Sequence, residues 1–428
     1  MLICRSSGST NDLFCISAAT ALDYRLIMLE LMHRMSELGP LTILSDSSKR
    51  NNVTLELNPN SLTKVANVIF VDEPAGVGFS YATTYEGTKS SDSILALHSY
   101  QFLTKWVLEN PRFQNHQLYI SGISYMGLLV PMVALEAYKG NEDGNQPQLN
   151  IKGYLIISPL TDKFIDFNSR FEYAHRFALI SDDIYKSTKE ACGGKYIYND
   201  ANNILCSSNL QRVDEVHACL LLIGYFVFLC MVSLIRIPGQ FQCISGINLE
   251  NILEPLCDDA DPEPPCVAAT NVVIEDWANE EDVQKALHVR EGTIETWKKN
   301  NETMHYYFEK NDTTCYSYDI FSTIVYHKQL VSRNCQVLII SGDHDMTFPY
   351  VGTEEWIKSL NVPIESPWNP WFVDNQVAGY QMTYGKNGYS LTYATVKGAG
   401  HSVAFNKPEE FSALVYGWLD HYAYISDS

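Results

Sequence analysis

The chain has 428 residues, room for one large domain or about two to three smaller ones. Its 50 acidic against 30 basic residues give a formal charge of -20, which argues against a surface built for nucleic acid or an anionic membrane. With 46% hydrophobic and 12% aromatic residues, the composition is that of a packed globular protein rather than a disordered one.

Met1 to Asn11 has no basic stretch leading into an apolar one, so no ordinary signal peptide is visible. Residues 1 to about 35 carry no strong β signal, and Tyr24 to Met35 has helical spacing. Asn67 to Val71 is a β-rich apolar run that leads into a Gly/Pro loop ending at Tyr81. Ser93 to Asn110 reads as an amphipathic helix stopped before Pro111. A short apolar strand then runs from Gln117 into Gly122-x-Ser124-x-x-Gly127 and the start of a helix that ends near Gly140. A polar turn precedes another strand, Gly153 to Ser158. Strand, helix, strand, helix, strand predicts a parallel sheet with helices on both faces. Residues 163–315 break the periodic order and read as an inserted cap; 36–162 and 316–428 form the core. Strands resume at Gln336 to Ser341 and Leu391 to Val396, and a closing helix spans Pro408 to Leu419.

Chemistry collects at the carboxyl ends of three of these strands, where open α/β sheets build their sites. Ser124 follows the first strand, Asp343 and Asp345 the second, and His401 the third. The order Ser, Asp, His is that of α/β-hydrolases. A histidine takes the serine proton while a carboxylate fixes its tautomer and stabilises the imidazolium. Asp345, one residue further into its loop and before a Met-Thr-Phe-Pro turn, is the chosen carboxylate. Asp343 reads as a loop-structuring residue. Eleven cysteines, with no Cys-x-x-Cys pair, and the sequons at Asn52, Asn301 and Asn311 lean towards an oxidising compartment. The acidic run Asp258 to Glu263 reads as solvated loop rather than a calcium site.

The chain resembles plant serine carboxypeptidase-like proteins, a family with carboxypeptidase and acyltransferase members. The matching segments are Glu37-x-Gly-Pro40, Asp72-x-Pro-x-Gly-x-Gly-Phe-Ser-Tyr81, Gly122-x-Ser-Tyr-x-Gly127, Ser341-Gly-Asp-His-Asp-Met346, Trp371-x-Val-Asp-x-Gln-Val-Ala-Gly-Tyr380 and Lys397-Gly-x-Gly-His401. The resemblance covers about residues 36–213 and 243–428. It implies an α/β-hydrolase core, a helical cap with disulfides, glycans, and a secreted or vacuolar address. It also implies Ser124 as nucleophile, Asp345 as orienting carboxylate and His401 as general base, with the Tyr125 backbone N–H in the oxyanion hole. Substrates would be peptides or small acyl esters, with no metal, organic cofactor or nucleic acid required. The oligomeric state is left open.

Three features depart from the family pattern. The chain has no Gly-Gly-Pro-Gly-Cys-Ser loop before Glu37, the loop that supplies the second oxyanion donor, and the N-terminal edge of the sheet reads as truncated. Losing one such donor costs on the order of 10²–10³ in rate. Ile123 stands where the family has an acidic residue that shares a proton with a substrate carboxylate. Ala218 to Ile235 is an uncharged apolar run, ~27 Å long as a helix, inside the cap. It is read as translated non-coding sequence or another gene-model artefact, ahead of a membrane span and an oversized buried helix. For the cysteines, Cys192 with Cys206, and Cys243 or Cys257 with Cys266, lie at loop-closing distances. The reading is therefore a serine carboxypeptidase-like enzyme working through acyl-Ser124. The alternatives are an acyltransferase with the same triad and a catalytically impaired relative.

Overall fold

The computed structural model describes residues 2–7, 12–19, 25–30, 35–45, 53–197, 200, 202–213, 244, 246–256, 267–299 and 315–426. In chain order it begins with β1 (Leu2–Ser7), β2 (Asp12–Ala19), β3 (Arg25–Glu30) and the short helix α1 (Met35–Leu38). A separate hairpin, β4 (Leu41–Ser45) with β5 (Val53–Leu57), is followed by β6 (Asn67–Asp72), β7 (Tyr81–Ala82) and β8 (Lys89–Ser91). Next come α2 (Asp92–Glu109), β9 (Gln117–Ile123), α3 (Met126–Glu142) and β10 (Ile151–Ile157). Three helices follow, α4 (Lys163–Arg176), α5 (Asp182–Cys192) and α6 (Ile204–Val213). The chain returns through β11 (Cys315–Ser317), β12 (Gln336–Gly342), β13 (Ile364–Val373), β14 (Gln376–Lys386) and β15 (Tyr389–Val396), and closes on a helix over Pro408–Ser426.

One large sheet runs β1-β2-β6-β3-β9-β10-β12-β15-β14-β13, with β7 paired to β2. Its six central strands, from β6 to β15, are mutually parallel, and both flanks are antiparallel. The central strands are apolar on both faces because helices cover both. Successive residues go to opposite sides: Leu118 and Ile120 join the cluster under α2 and α3, while Tyr119 and Ile123 join the cluster that contains Phe411, Val415 and Trp418 of the closing helix. Strands β6, β9, β10, β12 and β15 fall where the apolar runs place them.

The N-terminal segment differs from its sequence reading. Residues 25–30 form a strand, not a helix, and the sheet is not truncated at that end: β3 sits between β6 and β9, parallel to both. Ile27 and Met28 are consecutive and both buried. A strand buried on both faces is a continuous apolar run, which periodicity alone cannot separate from a helix. Arg25, at its start, pairs with Asp420 of the closing helix at 2.9 Å.

Cys192 and Cys206 form a disulfide between the ends of α5 and α6. Cys243, Cys257 and Cys266, the sequons, Asp258 to Glu263 and the apolar run 218–235 lie outside the described residues. Among the described residues, no helix is long and apolar enough to cross a membrane.

Candidate active site

Strand β9 ends at Ile123 and α3 begins at Met126, so the chain reverses direction over two residues. Ser124 carries that turn with φ +63°, a left-handed conformation that costs a non-glycine residue of order 1–3 kcal/mol. Backbone bonds hold it there: the Ser124 N–H donates to Ile157 O at 2.9 Å, and the Ser124 carbonyl accepts from Gly127 (2.9 Å) and Leu160 (3.0 Å). The flanking glycines serve close approach rather than positive φ. A Cβ on Gly122 would lie 2.5 Å from Met126 Cβ, and one on Gly127 would lie 2.6 Å from the Leu160 carbonyl oxygen.

The loop after β12 carries both aspartates, and they do different work. Asp343 Oδ1 accepts the Gly398 N–H at 2.7 Å and contacts His344 Nδ1 at 2.6 Å, which ties this loop to the one after β15. Asp345 is fully buried. Its Oδ1 accepts the N–H groups of Thr347 (2.7 Å) and Phe348 (3.1 Å), and its Oδ2 faces His401 Nδ1 at 2.8 Å. His401, 5% exposed, places Nε2 at 2.8 Å from Ser124 Oγ. Its own N–H donates to Glu250 O at 2.6 Å, and Phe348 stands edge-on to its ring. The three side chains, 56 and 277 residues apart in sequence, thus form one continuous hydrogen-bonded line.

Tyr125 is the N-cap of α3, so its N–H has no partner within the helix and lies beside Ser124. Ile123 is 3% exposed and packs in the cluster with Ile157, Val396, Ala399 and Val403. At that position the structure offers neither a donor nor an acceptor. The loop between β3 and α1, residues 31–34, lies outside the described residues. An apolar wall of Leu128, Leu160 and Phe348, with Tyr125, Phe167 and Ile320 packed on it, flanks the line.

Sequence reasoning missed Asp92. This fully buried residue in the first turn of α2 accepts the Tyr125 hydroxyl on Oδ1, together with the Tyr316 hydroxyl at 2.8 Å. Nothing in the stretch around it announces a buried carboxylate. Glu250, whose carbonyl anchors His401, was also missed, because a backbone acceptor leaves no residue-type signal.

A parallel α/β sheet with a serine elbow, a carboxylate and a histidine at its strand ends has the α/β-hydrolase fold. Residues 32–421 match the profile of the serine carboxypeptidase family. The chain belongs to that family. Serine carboxypeptidase-like 16 and 17 of Arabidopsis thaliana are 37% and 36% identical to it over 383 residues, spanning 90% of this chain and 78% of each relative. The structure of Kex1(delta)p, a prohormone-processing carboxypeptidase from Saccharomyces cerevisiae, superposes with a TM-score of 0.67 at 17% identity, covering 96% of this chain and 88% of that one. This chain's family match begins after β3, so that strand comes from sequence ahead of the matched region.

Proposed function

We propose that the chain transfers acyl groups through Ser124, with His401 as general base and Asp345 as orienting carboxylate, and that it hydrolyses C-terminal peptide bonds. The observation that carries this reading is the pair of 2.8 Å contacts from Ser124 Oγ to His401 and from His401 to Asp345. As Oγ bonds to the carbonyl carbon, its proton passes to Nε2, and Asp345 Oδ2 stabilises the imidazolium. The Tyr125 N–H donates to the developing oxyanion. Collapse breaks the bond to the leaving group, which takes the proton from Nε2. Water then repeats the sequence on acyl-Ser124 and releases the acid.

A second reading replaces that water with a small alcohol or amine acceptor and takes the acyl group from a sugar ester. Ile123 favours it, since an apolar buried side chain gives a substrate carboxylate no proton to share. The elements α4 to α6, stapled by Cys192–Cys206, support a cap over residues 163–315. The same disulfide and the sequons support a secretory or vacuolar address.

The test is labelling by a fluorophosphonate probe, comparing the chain with Ser124→Ala. Labelling that disappears in Ser124→Ala supports the reading; folded protein that never labels removes it. Rates on blocked dipeptides against glucose esters then separate hydrolase from transferase.

A further inference from the structure

The sheet face that the closing helix covers changes character along its length. On β15, Val396 and Ala394 belong to the apolar cluster with Leu414 and Trp418 of that helix. Side chains of a strand alternate, so Thr392 and Ser390 continue the same face towards the amino end of β15. Thr383 of β14 stands opposite Thr392, and Gln381 opposite Ala394. Here helix and sheet leave an open groove of about 440 Å³ between them, within the size range of small-molecule sites. Glu365, Gln381, Thr383 and Thr392 line it from the sheet, Ala413 and Gly417 from the helix. Two observations point to a ligand. Thr392 is only 8% exposed, yet its hydroxyl has no hydrogen-bond partner among the described residues, and neither have the side chains of Glu365, Gln381 and Thr383. A buried polar group ordinarily has one. Gly417 lies inside a helix, where glycine is disfavoured relative to alanine, and a Cβ there would meet no neighbouring group within 4 Å. Neither packing nor a positive φ calls for glycine at that position, and its missing side chain keeps the groove open.

We propose that this groove binds an uncharged pyranoside, at a site separate from the Ser124 line. An amide, two hydroxyls and a carboxylate together offer donors and acceptors, which is what the vicinal hydroxyls of a sugar require. The apolar part of the wall comes from the rings of Trp371, Phe372 and Trp418, which suit the C–H face of a pyranose. Trp371 Nε1 already donates to Thr395 O at 3.0 Å, so that nitrogen is taken. Among the described residues, no lysine or arginine lines the groove, so a phosphate or carboxylate would find no counter-charge there. Thr392 lies ~13 Å along β15 from Val396, the strand end that leads to His401, so the inference does not rest on Ser124.

The test titrates the methyl pyranosides of glucose, mannose and N-acetylglucosamine into the full chain, read by saturation-transfer NMR and calorimetry. The variants are Thr392→Val and Gly417→Leu, with thermal melting to show equal folding. Expected is saturable binding of at least one glycoside with a Kd of about 1 mM, weakened about fivefold in Thr392→Val by the loss of one hydrogen bond. Gly417→Leu fills the groove from the helix side and should weaken binding by about tenfold or more. Thr392→Val keeps the shape of its side chain and decides the matter if Gly417→Leu does not fold. No saturable binding by the wild type, or equal affinity in the folded variants, overturns the inference. So does an N-acetylated tetra-alanine amide that binds where the glycosides do not and is lost in Gly417→Leu, since the groove would then be a peptide site.

Discussion

Replacing Asp345 by Asn should be far more damaging than the loss of one negative charge suggests. The geometry shows why. Asp345 Oδ1 accepts two backbone N–H groups, from Thr347 and Phe348, and Oδ2 faces His401 Nδ1. An asparagine has one oxygen and one NH2, and the oxygen will be drawn to the two N–H donors. The NH2 then donates to Nδ1, which forces the imidazole proton onto Nε2, the nitrogen facing Ser124 Oγ. That tautomer cannot accept the serine proton. Flipping the amide restores the active tautomer but strands two buried N–H groups, each costing about 1–3 kcal/mol. The active population is therefore cut by about 30-fold at the least, and the loss approaches the roughly 10⁴ seen when a triad carboxylate is so replaced. At 1.36 kcal/mol per factor of ten this is about 2–5 kcal/mol of barrier. The assay is kcat on a saturating ester, with thermal melting to show equal folding. A folded Asp345→Asn chain within threefold of wild type would refute the tautomer argument.

Three further outcomes are expected. Asp166 is fully buried and its carboxyl is pushed up to about 7 by that burial, so the native state holds its proton above the pH where the unfolded chain releases it. Its stabilising contribution is complete below about pH 4 and is lost as pH rises to about 7. Asp166→Asn keeps an oxygen for the Thr161 and Asp162 N–H groups and should flatten that part of the melting-temperature profile; an unaltered profile would count against it. Gly127→Ala forces a methyl to 2.6 Å from the Leu160 carbonyl oxygen and should cost about 1–3 kcal/mol, read as a lower urea midpoint. An unmoved midpoint would mean that the turn yields. Removing the Cys192–Cys206 bridge, whose cysteines are 14 residues apart, by Cys192→Ser with Cys206→Ser should cost about 3 kcal/mol. An unmoved urea midpoint in the double variant would count against that contribution.

The candidate site was legible in sequence because parallel strands buried on both faces leave unbroken apolar runs such as Gln336 to Ser341, and Ser124, Asp345 and His401 follow at the ends of such runs. The choice of Asp345 over Asp343 rested on loop position; in the structure Asp345 faces His401, while Asp343 accepts the Gly398 N–H. The same rule misled at Arg25–Glu30, where an apolar run of similar character was read with helical spacing. The β13–β14–β15 meander was only partly seen. Its signals were present: Asp374-Asn375 and Asn387-Gly388 take positive φ at all four positions, as two-residue hairpin turns demand. Strand β13 is exposed along most of its length and so lacks the alternation that marks a half-buried strand. What no sequence pattern carries is which buried carboxylate holds which phenol, because Asp92 and Tyr316 meet across 224 residues.

Strand β3 is the earliest central strand to leave the ribosome, yet its partners β6 and β9 are synthesised later, β9 pairing Arg25 with Gln117. The middle of the sheet therefore closes through a long loop, which slows assembly relative to a sheet grown outward from neighbours. Among the described residues, β3 is the strand that hydrogen-bonds both to β6, on the side of β1 and β2, and to β9, on the other. Clipping thirty residues from the amino end would take β1 and β2 from the border and β3 from the middle. It would split the sheet beside the strand that delivers Ser124.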